Sequence, residues 1–186
     1  MLKHQGALLI LLLVSGCAFM EIGRPLREAK LSERAVVLAV PVVLQDDQYD
    51  CGVSALSMVL AYYGHPSDKA KSAELRAKAG IDQGLTGADL EAYLKTEGLE
   101  TVLFAGELSH GIHGLYYHLD RGRPLVVAMN VSDDGNHFVL VTGYDPQNDW
   151  VLIQDPQRGA LVCPGGQFEY AWNRARHFTL LATPRE

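Results

Sequence analysis

Cys51, His137 and Asp155 are the residues of this chain whose types could together make and use a sulfur nucleophile. Cys51 lies in the stretch Gln-Asp-Asp-Gln-Tyr-Asp-Cys-Gly, residues 45–52, where an extended apolar run gives way to one of helical period. A single cysteine on a buried helix is ordinarily a small core residue. Its place in the first turn changes that reading, because unpaired backbone N–H groups and the positive end of the helix dipole stabilise an anion there. Gly52 reads as room for a substrate backbone beside the sulfur, and Asp50 as the helix N-cap. A thiolate also needs a base, and the base needs an orienting partner. His137 opens a strand-like run after the loop Asp133-Asp134-Gly135-Asn136, and Asp155 closes the next such run, directly before Pro156. Each alone reads as a loop or turn residue, but a hairpin could bring the two together.

The elements that must do this positioning follow from periodicity. Ala35–Val40 and Val42–Leu44 are β-branched and extended, interrupted by Pro41. From Cys51, Val53, Leu56, Val59, Leu60 and Tyr63 recur at helical spacing, and Gly64 followed by Pro66 ends the helix. A polar helix is expected over about 68–79, and another from the capping-box pattern at Thr86–Asp89 to Gly98. Residues 101–104 and 125–129 read as extended, and 115–119 as helical. The runs 137–144 and 150–154 are apolar on both faces and are separated by Asp-Pro-Gln-Asn-Asp, so they should pair as an antiparallel hairpin at the centre of a sheet. An amphipathic turn at 168–172 and a strand at 178–181 complete the chain. Helices first and strands later imply an α+β domain. The hairpin carries a condition: with an even-numbered loop and a regular ladder, Asp155 would lie opposite Leu140, on the other face from His137. Bringing the two side chains together therefore requires an extra residue, for which Pro146 and Gly143 are the candidate places.

Four blocks, Gln45-x5-Cys51-Gly52, Tyr62-Tyr63-Gly64, His137–Tyr144 and Asp155-Pro156-x-x-Gly159, resemble in type and order the bacteriocin-processing double-glycine peptidases, family 39 of the cysteine peptidases. The likeness runs from about Val40 to Trp172. It implies a papain-like fold with N-terminal helices packed on a C-terminal antiparallel sheet. It also implies Cys51 as nucleophile, His137 as general base and acid, Asp155 as orienting carboxylate and Gln45 as side-chain donor of the oxyanion hole. No cofactor is implied. The family's better-known members are N-terminal domains of export ATPases that trim leader peptides after Gly-Gly, whereas this sequence opens on an export signal. The reaction therefore carries over more firmly than the substrate.

That signal is Lys3 and His4, an apolar core from Ala7 to Val14, and Ser15-Gly16-Cys17-Ala18. The core falls far short of the ~20 residues of a membrane-spanning helix. Ser15 and Gly16 before Cys17 resemble the lipobox of bacterial lipoproteins, which implies lipidation of Cys17. The domain expectation is a signal over 1–16, a lipid-anchored tether over 17–34 and the peptidase domain over 35–186. The resulting location is the periplasmic side of the envelope, at the outer membrane; cleavage after Ala18 would instead leave a soluble periplasmic protein. With Cys17 lipidated, Cys51 and Cys163 remain, and neither their motifs nor the size of the domain calls for a disulfide.

The chain has 186 residues, 48% hydrophobic and 20% charged, with a net charge of −6 and no basic block. These values fit one globular domain and argue against nucleic acid as a partner. His110, His113 and His118 do not share a helical face with a carboxylate at ligand spacing, so they read as loop and helix residues without a metal. The expected partner is a peptide or protein substrate, with a secretion or assembly machine as a further one. Two other functions stay open at this level: a non-catalytic cleft that holds a glycine-rich segment, and an amidase or acyl transferase acting on cell-wall peptides.

Overall fold

The computed structural model describes residues 22–65, 73–77, 84–131 and 135–185. In chain order these hold β1 (Arg24–Pro25), a 3-10 turn (Leu26–Glu28), β2 (Val36–Val37), α1 (Cys51–Tyr62), helical residues 73–77 (α2) and α3 (Gly87–Thr96). There follow β3 (Leu99–Ala105), α4 (Leu115–Leu119), β4 (Leu125–Met129), β5 (His137–Asp145), β6 (Trp150–Asp155), β7 (Gly159–Pro164), α5 (Gly165–Arg174) and β8 (Phe178–Pro184). The strands form one sheet in the order β1-β7-β6-β5-β4-β8-β3, with β2 on β5, and every pairing is antiparallel.

Helix α1 is apolar almost all round, and Gly52 through Leu60 are buried, as expected of a helix sunk in a core. It ends at Gly64, which takes φ 78°, and the N–H of His65 returns to the carbonyl of Leu60 at 2.8 Å. Helix α3 carries the expected capping box: Asp89 N–H donates to Thr86 Oγ1 at 3.3 Å, and Thr86 N–H to Asp89 Oδ2 at 2.8 Å. Both helices pack on one face of the sheet with Phe138, Leu140, Val126 and Leu180. The other face is covered by α4 and α5, through Leu115, Leu119, Phe168 and Trp172 against Val127, Val139 and Val141. The α+β class stands, with helices on both faces. Central strands buried from both sides explain why β5 and β6 read as continuous apolar runs.

Several local expectations give way to tertiary structure. Of the extended run 35–44 only Val36–Val37 pairs, and Val42 and Leu44 are 46% and 58% exposed. The part of the expected tether that is described is built into the domain: Ile22 is buried, β1 pairs with β7, and both Ser32 N–H and Ser32 Oγ donate to Asp145. Cys163 lies in strand β7, and the amphipathic turn expected at 168–172 is part of the ten-residue helix α5. Of the polar helix expected over 68–79 the described part is 73–77; the signal, the start of the tether and the Asp133–Asp134 loop lie outside the described residues.

The irregularity demanded by the hairpin is present. Asp145 pairs with Trp150 across a four-residue loop, which has the even parity that would separate His137 from Asp155. Gly143 pairs with Leu152, but Val141 pairs with Ile153, so Thr142 is an extra residue in β5. Its carbonyl accepts the N–H of Leu38 at 2.8 Å, which ties the segment after β2 to the bulge. Gly143 has no room for a side chain, because a Cβ there would collide with the carbonyl oxygen of Val36. Gly143→Val is therefore expected to cost about 1–3 kcal/mol by overpacking, seen as a fall of several degrees in Tm. An unchanged Tm would remove this account of the glycine.

Candidate active site

Beyond the bulge, the β5–β6 register sets Leu140 opposite Gln154, and the next step sets Asp155 beside Val139. Val139 is two residues from His137, so both side chains fall on one face. His137 Nε2 lies 3.0 Å from Asp155 Oδ1. The carboxylate is itself held by its turn: Oδ1 accepts the N–H of Gln157 at 2.7 Å and of Arg158 at 3.3 Å. Proline at 156 and the left-handed Gly159 (φ 80°) close this turn into β7. Nε2 faces the carboxylate, and the same imidazole lies close enough to Cys51 for its hydrogen bond and charge to lower the thiol's pKa. Helix α1 contributes the sulfur from its first turn, and the backbone N–H groups of Phe138 and Gly52 also point at it. The three residues named from sequence thus meet at one end of the central strands.

Their titration follows from this contact. Burial pushes the Cys51 thiol up, but the hydrogen bond and charge of His137 and the two backbone N–H groups outweigh it, so its pKa falls below the ordinary thiol value. For His137, burial alone would lower the pKa; the hydrogen bonds and charges of Asp155 and Cys51 raise it to about 9. Burial also works against the charge of Asp155, and the imidazole with the N–H groups of Gln157 and Arg158 reverses it, leaving the carboxyl below its usual range. All three directions favour a thiolate–imidazolium pair braced by a carboxylate. Cys163 is the opposite case: burial, with the charge of Asp155, pushes its thiol up to about 12, and it is fully buried. Both cysteines are free thiols.

Other nearby residues behave differently from the sequence reading. Gln45 is anchored by its backbone N–H to the carbonyl of Pro156 at 2.8 Å, which ties the loop before Cys51 to the turn after Asp155. Its side-chain amide donates within that loop, to the carbonyls of Asp47 at 2.8 Å and Gln48 at 3.2 Å. Asp50 occupies the N-cap position without a side-chain capping bond; its carboxylate instead lies 2.8 Å from Arg76 Nε. Gly52 is buried against Leu85, where an added Cβ would come to 3.1 Å of the leucine Cβ. That glycine makes room for the core and not for a substrate. Arg76 and Leu85 were not visible from sequence, since no spacing rule links α2 or the start of α3 to Cys51. The three histidines weighed for metal have separate neighbours: His110 Nδ1 lies 3.0 Å from Asp120, His118 Nε2 lies 3.1 Å from the carbonyl of Ile112, and the His113 ring packs on Phe104.

Comparison with known proteins bears on what such a site does. Residues 39–186 match the model of the Peptidase C39 family. The transport/processing ATP-binding protein ComA of Streptococcus pneumoniae is 33% identical over 130 residues, which are 69% of this chain and 17% of ComA. The lactococcin-G-processing and transport ATP-binding protein LagD of Lactococcus lactis subsp. lactis is 25% identical over 133 residues, 70% of this chain and 17% of LagD. The chain thus corresponds to only a small part of these relatives' length. A solved double glycine motif protease from an AMS/PCAT transporter, in complex with the leader peptide, superposes with a TM-score of 0.65 at 22% identity, covering 84% of this chain and 99% of that one. The peptidase domain of Streptococcus ComA gives 0.64 at 23% identity, covering 77% and 98%. At such identities the likeness is one of fold, and that fold is the papain-like one. With the family's model covering most of the chain, and a sequence relative and two solved folds agreeing with it, this protein belongs to the Peptidase C39 family of cysteine peptidases.

Proposed function

We propose that this chain is a lipid-anchored endopeptidase of the cell envelope that cleaves an exported polypeptide or its leader, with Cys51, His137 and Asp155 as its triad. The observation that carries the reading is the His137–Asp155 contact at 3.0 Å, with the same imidazole acting on the Cys51 thiol. In the reaction, the Cys51 thiolate attacks the scissile carbonyl carbon and a C–S bond forms as the carbonyl electrons move to oxygen. The oxyanion is met by the backbone N–H of Cys51, which has no partner within its own helix turn, and by the Gln45 amide. For Gln45 to serve, its longer bond, to Gln48, is the one exchanged for the substrate oxygen. The imidazolium gives its proton to the leaving amine, the C–N bond breaks, and a thioester remains. Water, deprotonated by His137, then attacks the thioester and releases the acid and the thiolate.

The name of a structural neighbour, a double glycine motif protease solved with a leader peptide, supports a leader or leader-like substrate. Cleavage after Gly-Gly is accordingly the first specificity to assay. Lipid anchoring rests on Ser15-Gly16-Cys17 alone. Mass spectrometry of the mature N-terminus should find a diacylglyceryl Cys17 followed by Ala18; an unmodified chain starting at Phe19 would replace the anchored protein with a soluble one.

Cys51→Ala should abolish peptide cleavage with the fold intact, and a peptide-like electrophile should label Cys51 while sparing Cys163. Labelling of both thiols at one rate, or cleavage by the Cys51→Ala variant, would sink the assignment. Loss of the base in His137→Ala should cost roughly 10²–10⁴-fold in rate.

The pH dependence has two limbs with definite signs. Activity should rise as the thiolate forms, at a pH below the ordinary thiol value, and fall as His137 loses its proton near pH 9. Asp155→Ala removes the carboxylate whose hydrogen bond and charge raise His137, so the alkaline limb should move toward the ordinary histidine value of about 6.5. An alkaline limb that stays in place in this variant would separate Asp155 from the mechanism.

A further inference from the structure

Asp50 presents a problem for the site just described: a buried acidic residue, adjacent in sequence to the nucleophile and making no capping bond. A negative charge held there opposes a thiolate and is costly to bury unpaired. Arg76 on α2 meets it. Its Nε lies 2.8 Å from Asp50 Oδ2, and its NH2 group 2.9 Å from Asp46 Oδ2. One guanidinium therefore bridges both ends of the loop that begins at Gln45 and delivers Cys51. The two arms are unequal. The Asp46 side chain is 80% exposed and its pairing is weakened by solvent, whereas that of Asp50 is 9% exposed and its partner matters far more.

We infer that Arg76 is a positioning residue for the nucleophile: it screens the Asp50 charge from Cys51 and fixes the spacing between Gln45 and Cys51 by spanning Asp46 and Asp50. Among the described residues, the other charged groups at the thiol and its loop are His137 from β5, Asp155 from β6 behind it, and Asp47, whose Oδ1 accepts the N–H of Gln48. None of these can replace the guanidinium. Asp47 is itself acidic, His137 is engaged with Asp155 and Cys51, and a fork that reaches two carboxylates at once is peculiar to arginine. The inference rests on Cys51 being the nucleophile, and the alkylation arm of its test, which alone can overturn it, needs no peptide substrate.

The test is site-resolved alkylation of Cys51 in the full-length protein by iodoacetamide across pH, read by mass spectrometry, beside kcat and KM on a Gly-Gly peptide. In Arg76→Met the alkylation midpoint should move up by about one pH unit, so that below it the rate falls about tenfold. Arg76→Lys should restore the midpoint, since it keeps the charge, while kcat remains depressed because one ammonium cannot span both carboxylates. Asp50→Asn with Arg76→Met should also restore the midpoint. Asp50→Asn alone, which keeps Arg76 and so tests the same electrostatics should Arg76→Met not fold, should leave the midpoint no higher than in the unaltered protein. An unmoved midpoint in Arg76→Met, an unrestored one in the double variant, or an upward move in Asp50→Asn would overturn the inference. Failure of the peptidase reading would show separately, as cleavage that persists in Cys51→Ala.

Discussion

The bond between His137 and Asp155 crosses two neighbouring strands, and the regular pleat of an antiparallel ladder would forbid it. Side chains alternate faces, and the four-residue loop from Pro146 to Asp149 gives β5 and β6 a register in which the two residues would point apart. One extra residue, Thr142, reverses the parity for the part of β5 that leads back to His137. The bulge is in turn stabilised by Leu38, which donates to the Thr142 carbonyl, and by the bare backbone of Gly143 under Val36. The N-terminal segment that reads from sequence as half linker is thus a support for the His137–Asp155 contact. A bulge next to an active site, aiming a side chain, is a recurrent use of this irregularity.

A second requirement is electrostatic. A buried thiol resists ionisation, and burial does push Cys51 upward. What reverses it is a set of oriented donors that need not move when the charge forms: the imidazole, the N–H of Phe138 and the N–H of Gly52. These come from β5 and from the first turn of α1, so the packing of α1 against β5, through Phe138 and Leu140, places the donors on the sulfur. Asp50, the residue before Cys51, carries a charge of the wrong sign, and it is engaged by Arg76 from α2. Cys163, more deeply buried and without these donors, has its thiol pushed up instead, so environment and not residue type sets the direction in which each thiol shifts.

The parts of the fold legible in the sequence were those with strong periodicity. The apolar stripe of α1, the capping box at Thr86 and the two apolar runs joined by a turn-rich loop all have local causes, and each appears where it was expected. The failures share a cause as well. Residues 35–44 have strand composition, but β2 takes only Val36 and Val37, because β4 already occupies that side of β5 over residues 137–141. Strand β7 has no strong strand signal in its Gly- and Pro-bounded sequence, yet it finds a free edge of β6 and pairs along its full length. Pairing partners far apart in sequence override propensity in both cases.

For the site, residue types and order alone singled out Cys51, His137 and Asp155, because a nucleophile at a helix start and a His–Asp pair on successive strands are local patterns with chemical meaning. Even the need for a bulge followed from counting residues, since the two-residue alternation of a strand is a property of the backbone. Tertiary structure decided where that bulge lies, and that Gly52 serves Leu85 and not a substrate. It also decided that Asp50 answers to Arg76 and not to the helix N–H groups, and that the Gln45 amide is engaged within its own loop. These depend on which side chains from remote elements arrive within a few ångströms, and no spacing along the chain encodes that distance.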